Sequence, residues 1–287
     1  MAEHAVETLE SIAPGIDPDA ARLLDALVAA SGWNQTAHDW RLFARLGTIH
    51  VVRDGQGRIA ASGAVLPMEG ASWISMILVR PEARGQGLGR AVFEHCLRQV
   101  KDAGLVAMLD ATPQGEPIYA SAGFAPLWRL TRWQRDAVEG SAAPAAAQAM
   151  PSPEGLAALC ALDAQALGIA RPGVLADLLA REGSRCVRNA AGLGLVRTGR
   201  TAHHIGPLLA ADERTAAMLL QDALAGISGR VYIDVPDGRH LMTQALHDAG
   251  FAPQRGFVRM ALATRPDTVA PAGQPAFIHA IAGPEYG

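Results

Sequence analysis

A segment of this chain is written twice. LDATPQG followed by AGFAP spans residues 109–126, and YIDVPDG followed by AGFAP spans 232–253. A direct repeat with the same order of apolar run, acidic residue, turn and Ala-Gly-Phe means one architecture used twice, and this restricts the fold more than composition can. Asp110 then corresponds to Asp234 and Gly123 to Gly250, with an intervening helix three residues longer in the second copy. A length of 287 residues suits two such units, each able to bury its own core. Composition breaks at DAVEGSAAPAAAQAMPSPEG, residues 136–155, where small residues and three prolines cannot build a core. The expected organisation is a first domain over 1–135, a linker over 136–152, a second domain over 153–270, and a tail over 271–287 able to add a strand.

Within the first copy, ARLLDALVAA and TAHDWRLFARL carry apolar residues at helical spacing. TIHVVRD and RIAASGAVLPM alternate like strands on either side of an Asp-Gly-Gln-Gly turn, and SWISMILV is a third strand. The helix GRAVFEHCLRQVKDAG follows, with Leu88, Val92 and Cys96, and again Phe93, Leu97 and Val100, on its apolar stripe. Then come the strand VAMLDA, a short helix around IYASAG, and strands near FAPLW and LTRWQ that read as a closing hairpin. This is an α+β domain, a mixed central sheet flanked by helices, and the repeat implies a second of the same kind.

The composition excludes several classes of function. A net charge of -3 supplies no basic field for nucleic acid. No apolar run reaches the ~18 residues that would span a bilayer. Cys96, Cys160 and Cys186 stand at no metal or redox spacing and fit a reducing compartment, while the N-terminal residues lack the basic flank and apolar core of a secretory signal. A cytoplasmic protein without a metal is expected.

Chemistry concentrates in RGQGLGR, residues 84–90, between the strand SWISMILV and the helix behind it. A glycine-rich turn entering a helix aims backbone N–H groups at the helix's positive end, and missing Cβ atoms let a phosphate come close. No Lys-Ser or Lys-Thr follows the last glycine, so it is not a Walker loop, and G-x-G-x-x-G is not matched either. On its own such a loop is equally a tight turn. Its spacing is R-x-x-G-x-G, through Arg84, Gly87 and Gly89, directly after Val-Arg-Pro, and a Y-x-x-x-G-F segment, Tyr119 to Phe124, lies downstream. With GWNQTAHDW (32–40), LDATPQG and the terminal AIAGPEYG, these motifs resemble the GCN5-related N-acetyltransferase (GNAT) superfamily, in its bacterial two-domain form, over nearly the whole chain.

The resemblance implies tandem GNAT folds and acetyl-CoA as cosubstrate. The pyrophosphate would be held by Arg84, Gly85, Gln86, Gly87, Leu88, Gly89 and Arg90, and the thioester carbonyl by a backbone N–H near Leu78 and Val79. Tyr119 would be the general acid. A primary amine would attack directly, so Cys96 on its buried stripe is a packing residue rather than a nucleophile. SWISMILV carries no carboxylate to serve as base; Asp110 ranks first for that role, ahead of Glu69 and Asp39, with turn capping as its competing use. Trp33, Asn34, Gln35 and Asp39 would line the acceptor site, or else pack and cap the helices there, with Asn34 as the cap.

The second copy departs from this pattern. ADERTAAMLL has no glycine after the strand HHIGPLLA, and Leu246 stands where a tyrosine would, so this copy is expected to be degenerate. His203 and His204, being adjacent, face opposite sides of a strand, and Arg255 and Arg259 share one face of QRGFVRM. The expected activity is N-acetyl transfer to a small-molecule amine by a monomer or homodimer; the alternative is an acyl-CoA or metabolite sensor without turnover.

Overall fold

The computed structural model describes residues 9–12, 15–138 and 153–287. Of the expected linker, 136–138 are described and 139–152 lie outside the described residues. The chain forms two compact units. Unit 1 holds the residues up to Leu109 together with Leu262–Val269, and unit 2 holds Asp110–Ala261 and Ala270–Gly287.

Unit 1 opens with strand β1 (Leu9–Ile12), which the sequence reading did not foresee, and helices α1 (Pro18–Ala30) and α2 (Ala37–Leu46). Asp17 caps α1, with Pro18 already at φ values that suit a first turn. Strands β2 (Thr48–Arg53), β3 (Ile59–Pro67) and β4 (Ala71–Val79) form an antiparallel meander with β1 on its outer edge. Asp54 sets the β2–β3 turn by accepting the amides of Gln56 and Arg58. Helix α3 (Leu88–Ala103) buries Val92, Phe93, Cys96, Leu97 and Val100 against the sheet, as its periodicity requires. Strand β5 (Val106–Ala111) returns parallel to β4. His50, buried on β2, joins three elements: its Nδ1 lies 2.8 Å from Ser11 Oγ on β1 and its Nε2 2.7 Å from Gln99 Oε1 on α3.

Unit 2 begins with α4 (Glu116–Ser121) and β6 (Ala125–Arg135). The expected closing hairpin is instead this one strand of eleven residues. Nothing between Trp128 and Leu130 favours a turn, and the strand finds partners on both sides from the second repeat. It pairs antiparallel with β10 (Val231–Pro236) and with β11 (Ala252–Leu262). The rest of the unit is α5 (Pro153–Leu167), α6 (Pro172–Ala180), β7 (Arg185–Asn189), β8 (Gly192–Thr198), β9 (His203–Ala210), α7 (Glu213–Leu224), α8 (His240–Asp248) and β12 (Ile278–Ala280). The strand order is β11-β6-β10-β9-β8-β7, with β12 on β9. Helix α8 has nine residues against six in α4, the difference expected from the repeat.

The units of structure therefore do not coincide with the repeats of sequence. The last strand of the first repeat, β6, belongs to unit 2, while 262–269, following the second repeat, belong to unit 1, where Thr264 Oγ1 donates to Leu105 O. One core of unit 2 gathers Leu219, Leu220, Met242, Leu246 and Phe251 over Ile233, and another gathers Leu130, Leu209, Phe257, Ile278 and Ile281. Buried arginine–carboxylate pairs among the described residues of this unit include Asp110–Arg259, Asp234–Arg132, Asp163–Arg171 and Glu285–Arg197.

Candidate active site

The glycine loop of unit 1 is built for an anion. Gly85 (φ 78°) and Gly87 (φ 82°) are both left-handed, a conformation that costs other residues ~1–2 kcal/mol, and a Cβ on either would project into open space. Gly87 is the N-cap of α3 and supplies no side-chain cap, so the first turn of α3 offers its backbone N–H groups outward. Leu88 is buried and anchors the turn, while Arg84, Gln86 and Arg90 are exposed around it. Arg90 pairs with Glu94, and Arg84 Nε lies 3.4 Å from Val79 O. Open amides, a positive helix end and arginines suit the pyrophosphate of a nucleotide cofactor.

Beside the loop, β4 and β5 are paired only over Ala71–Trp73 and Val106–Met108, yet β4 runs on to Val79. The two parallel strands thus part company halfway. The cause sits on the other edge of β4, where the register with β3 slips between Ser62 and Ala64 and Met76 takes φ 55°. Ser62 Oγ donates to Met76 O and holds this bulge. Neither residue was singled out from the sequence, and the positive φ falls on a methionine rather than on Gly63 at the slip in β3. Past the bulge, Arg80 N donates to Ala60 O, so by antiparallel alternation the N–H of Leu78 turns to β3 and that of Val79 away from it. Of the two expected carbonyl-binding residues, Val79 has the suitable direction. Burial pushes the Cys96 thiol up to about 12, which leaves it no nucleophilic role at neutral pH.

Unit 2 carries the two expected catalytic residues. Tyr119 lies on α4, partly exposed, its ring 6.3 Å from that of Phe124. The ring lies over Gly115, where a Cβ would come within 2.8 Å of it, so the Gly of PQG makes room for the tyrosine. Asp110 is a correction to the sequence reading. It does not stand open as a base: its carboxylate accepts two hydrogen bonds of 2.9 Å from Arg259, a bidentate pair that is fully buried. Burial pushes its carboxyl up from the usual range, against the pull of the guanidinium. Arg259 in turn stacks on Trp128, 4.3 Å from its ring centre. Arg255, on the same face, stacks over Phe257 instead.

The acceptor candidates divide. Asp39 is buried and spends its carboxylate at the start of α2, accepting from Thr36 N and Thr36 Oγ1 in a capping box, so the N-cap is Thr36 and not Asn34. Trp40 and Phe43 pack into the core. Gln35 is buried, while Trp33 and Asn34 are half-buried. Glu69 lies in the exposed turn before β4. Among the described residues no helix is long and apolar enough to cross a membrane, and no cluster of three His, Cys, Asp or Glu could hold a metal ion.

Comparisons with known proteins agree with this geometry. Two family models, each described as an acetyltransferase (GNAT) domain, match residues 33–132 and 159–269. The uncharacterized N-acetyltransferase YitH of Bacillus subtilis is 24% identical over 233 residues, covering 78% of this chain and 82% of its own. Among solved structures, a candidate acetyltransferase from Pyrococcus horikoshii superposes with a TM-score of 0.77 at 18% identity, over 100% of this chain and 97% of the other. A tandem GNAT protein from the clavulanic acid biosynthesis pathway superposes with a TM-score of 0.59 at 20% identity, over 91% and 100%. Matches to one domain type on both repeats, together with the parted strands and the bare glycine loop, lead to one conclusion: the chain is an acetyltransferase of the GCN5-related N-acetyltransferase (GNAT) family, with two GNAT domains in tandem.

Proposed function

We propose that the first copy binds acetyl-CoA and transfers its acetyl group to the amine of a small molecule. The observation that carries this reading is the loop of residues 84–90, left-handed at two glycines and opening onto an uncapped helix N-terminus beside strands that separate. Bound acetyl-CoA would supply the activated thioester. The amides from Gly85 to Arg90, with Arg84, hold the pyrophosphate; the N–H of Val79 polarises the carbonyl; Trp33, Asn34 and Gln35 receive the acceptor. Tyr119 Oη holds the proton that the departing sulfur requires. With Asp110 locked to Arg259, Asp39 spent as a cap and Glu69 in the exposed turn at the opposite end of β4 from the glycine loop, water is the remaining route for the amine's own proton.

Titrating the full chain with acetyl-CoA, and measuring thiol release across a panel of primary amines, tests the reading. Saturable binding with amine-dependent release is expected. Absence of binding would overturn it, and binding without release would leave a sensor in place of an enzyme.

A further inference from the structure

Two places that a cofactor would need in the first copy, the gap between parallel strands and the bare helix end, have counterparts in the second, and both are occupied by the chain itself. Strands β9 and β10 repeat the parting of β4 and β5: they pair in parallel only over His203–Ile205 and Val231–Ile233. Here the gap is not open. Strand β12 lies along β9, with Ile278 opposite Leu209 and Ala280 opposite Leu208, and Ile281 N then crosses to donate to Asp234 O on β10 at 3.0 Å. One segment thus bonds both separating strands. Gly206 makes the entry possible, since a Cβ there would stand 2.0 Å from Ile281 O.

The tail is fastened beyond the gap as well. Tyr286 is fully buried, with Arg171 donating to its carbonyl at 2.7 Å and Arg181 to its hydroxyl at 3.1 Å, while Glu285 pairs with Arg197. At the pyrophosphate position the change is of the same kind. Residues 80–87 connect β4 to α3, but only Ala211 and Asp212 connect β9 to α7. The Asp212 carboxylate caps α7 by accepting from Thr215 N at 2.8 Å, so an anion of the protein already sits at the helix end that a phosphate would need.

We propose that the second copy is liganded by its own chain: the segment from Ile278 to Gly287 occupies the place of an acyl-CoA's pantetheine arm, and Asp212 that of its pyrophosphate. The groove between β9 and β10 is then a site for an extended peptide, held by main-chain bonds on both sides as an added strand would be.

The intact chain tests this without any variant. Hydrogen exchange at the Ile281 amide should be slowed by ~10³-fold or more, like the unit's core strands, and acetyl-CoA should titrate to one equivalent per chain. An Ile281 amide exchanging at the rate of an exposed loop, or two equivalents of acetyl-CoA, would overturn the proposal; zero equivalents would refute only the function proposed for the first copy. A second experiment introduces a protease site after Asp267, in an exposed turn. Once cut, the chain should keep its C-terminal fragment through gel filtration, and its melting temperature should rise with added synthetic peptide of residues 275–287, as mass action requires. The same peptide carrying Ile281→Pro, which lacks the donor to Asp234, should raise it less. Loss of the fragment, or equal effects of the two peptides, would refute the assignment.

Discussion

The two copies share a fold and differ in what fills it. In the first, the strands part beside a glycine loop, the helix end is bare, and a tyrosine stands four residues before Gly-Phe. In the second, the parted strands hold β12, an aspartate caps the helix, and Leu246, fully buried, replaces the tyrosine. The difference shows that one sheet architecture can leave its parted strands open beside a glycine loop in one copy and bridge them with a segment of the chain in the other. Buried backbone N–H and C=O groups on the facing edges must find partners, whether from a ligand, from water or from the chain.

The comparison breaks most completely if the copies are separated. A chain ending at Asp136 keeps the whole first repeat but loses β10 and β11, the partners of β6, and 262–269 of unit 1. It should show no cooperative thermal transition by circular dichroism; a fragment that melts sharply near the full chain's temperature would mean that each repeat stands alone. Next in size is the catalytic contrast. Tyr119→Phe should lower kcat by about 10²-fold while acetyl-CoA affinity holds, because a proton donor acts only during the reaction. Leu246→Phe in the other copy should leave kcat unchanged, and a comparable loss there would give the second copy a part in the chemistry.

Smaller effects sharpen the comparison further. Gly87→Val should weaken acetyl-CoA binding about tenfold or more, ~1.4 kcal/mol, by forcing a branched side chain into a left-handed position. Asp212→Ala should leave that binding as it was; calorimetry on both separates the two helix ends. The copies should also differ in acid. His204, across from Tyr232, matches Trp73, across from Met108, when the repeats are aligned on Asp234 and Asp110. Burial, with Arg197 nearby, holds the His204 imidazole down to about 3. A histidine kept neutral in the fold gives up stability as pH falls below its unfolded value near ~6.5, by ~1.4 kcal/mol per pH unit until the folded value is reached. His204→Gln should flatten the decline in melting temperature between pH 6.5 and 4 by that contribution; an unaltered slope would place the acid sensitivity elsewhere. The smallest effect expected is at Asp39. Its change to Ala should cost about 1 kcal/mol of stability through the lost capping box, and leave KM for the amine unaltered in the folded enzyme.

Local features were the readable ones. The glycine loop, the Y-x-x-x-G-F tyrosine and the missing glycines after β9 each act through a few neighbouring residues, so the sequence displays them directly. The bulge at Met76 was not readable, because a methionine with positive φ has no signature and the strain is held by Ser62 from the next strand. The pairing of Asp110 with Arg259 joins residues 149 positions apart. A carboxylate at a strand end reads as a base until its partner is seen. The tail was expected to add a strand, but not to fill a ligand's place. The repeat itself concealed the pairing of β6 with the second copy, since corresponding strands of similar pattern stand in both copies.

That pairing has a consequence for how the molecule comes into being. Arg132 on β6 must wait for Asp234 on β10, made 102 residues later. At ribosomal speeds of ~5–20 residues per second the delay is ~5–20 s, long compared with the formation of the hairpins before it. Throughout that interval the nascent chain presents β6 without either of its partners, and a second nascent chain nearby offers the same β10 and β11 once they are made. Crowded synthesis would favour mispairing of strands between chains, so the yield of correctly folded protein should depend on expression rate more than on final stability.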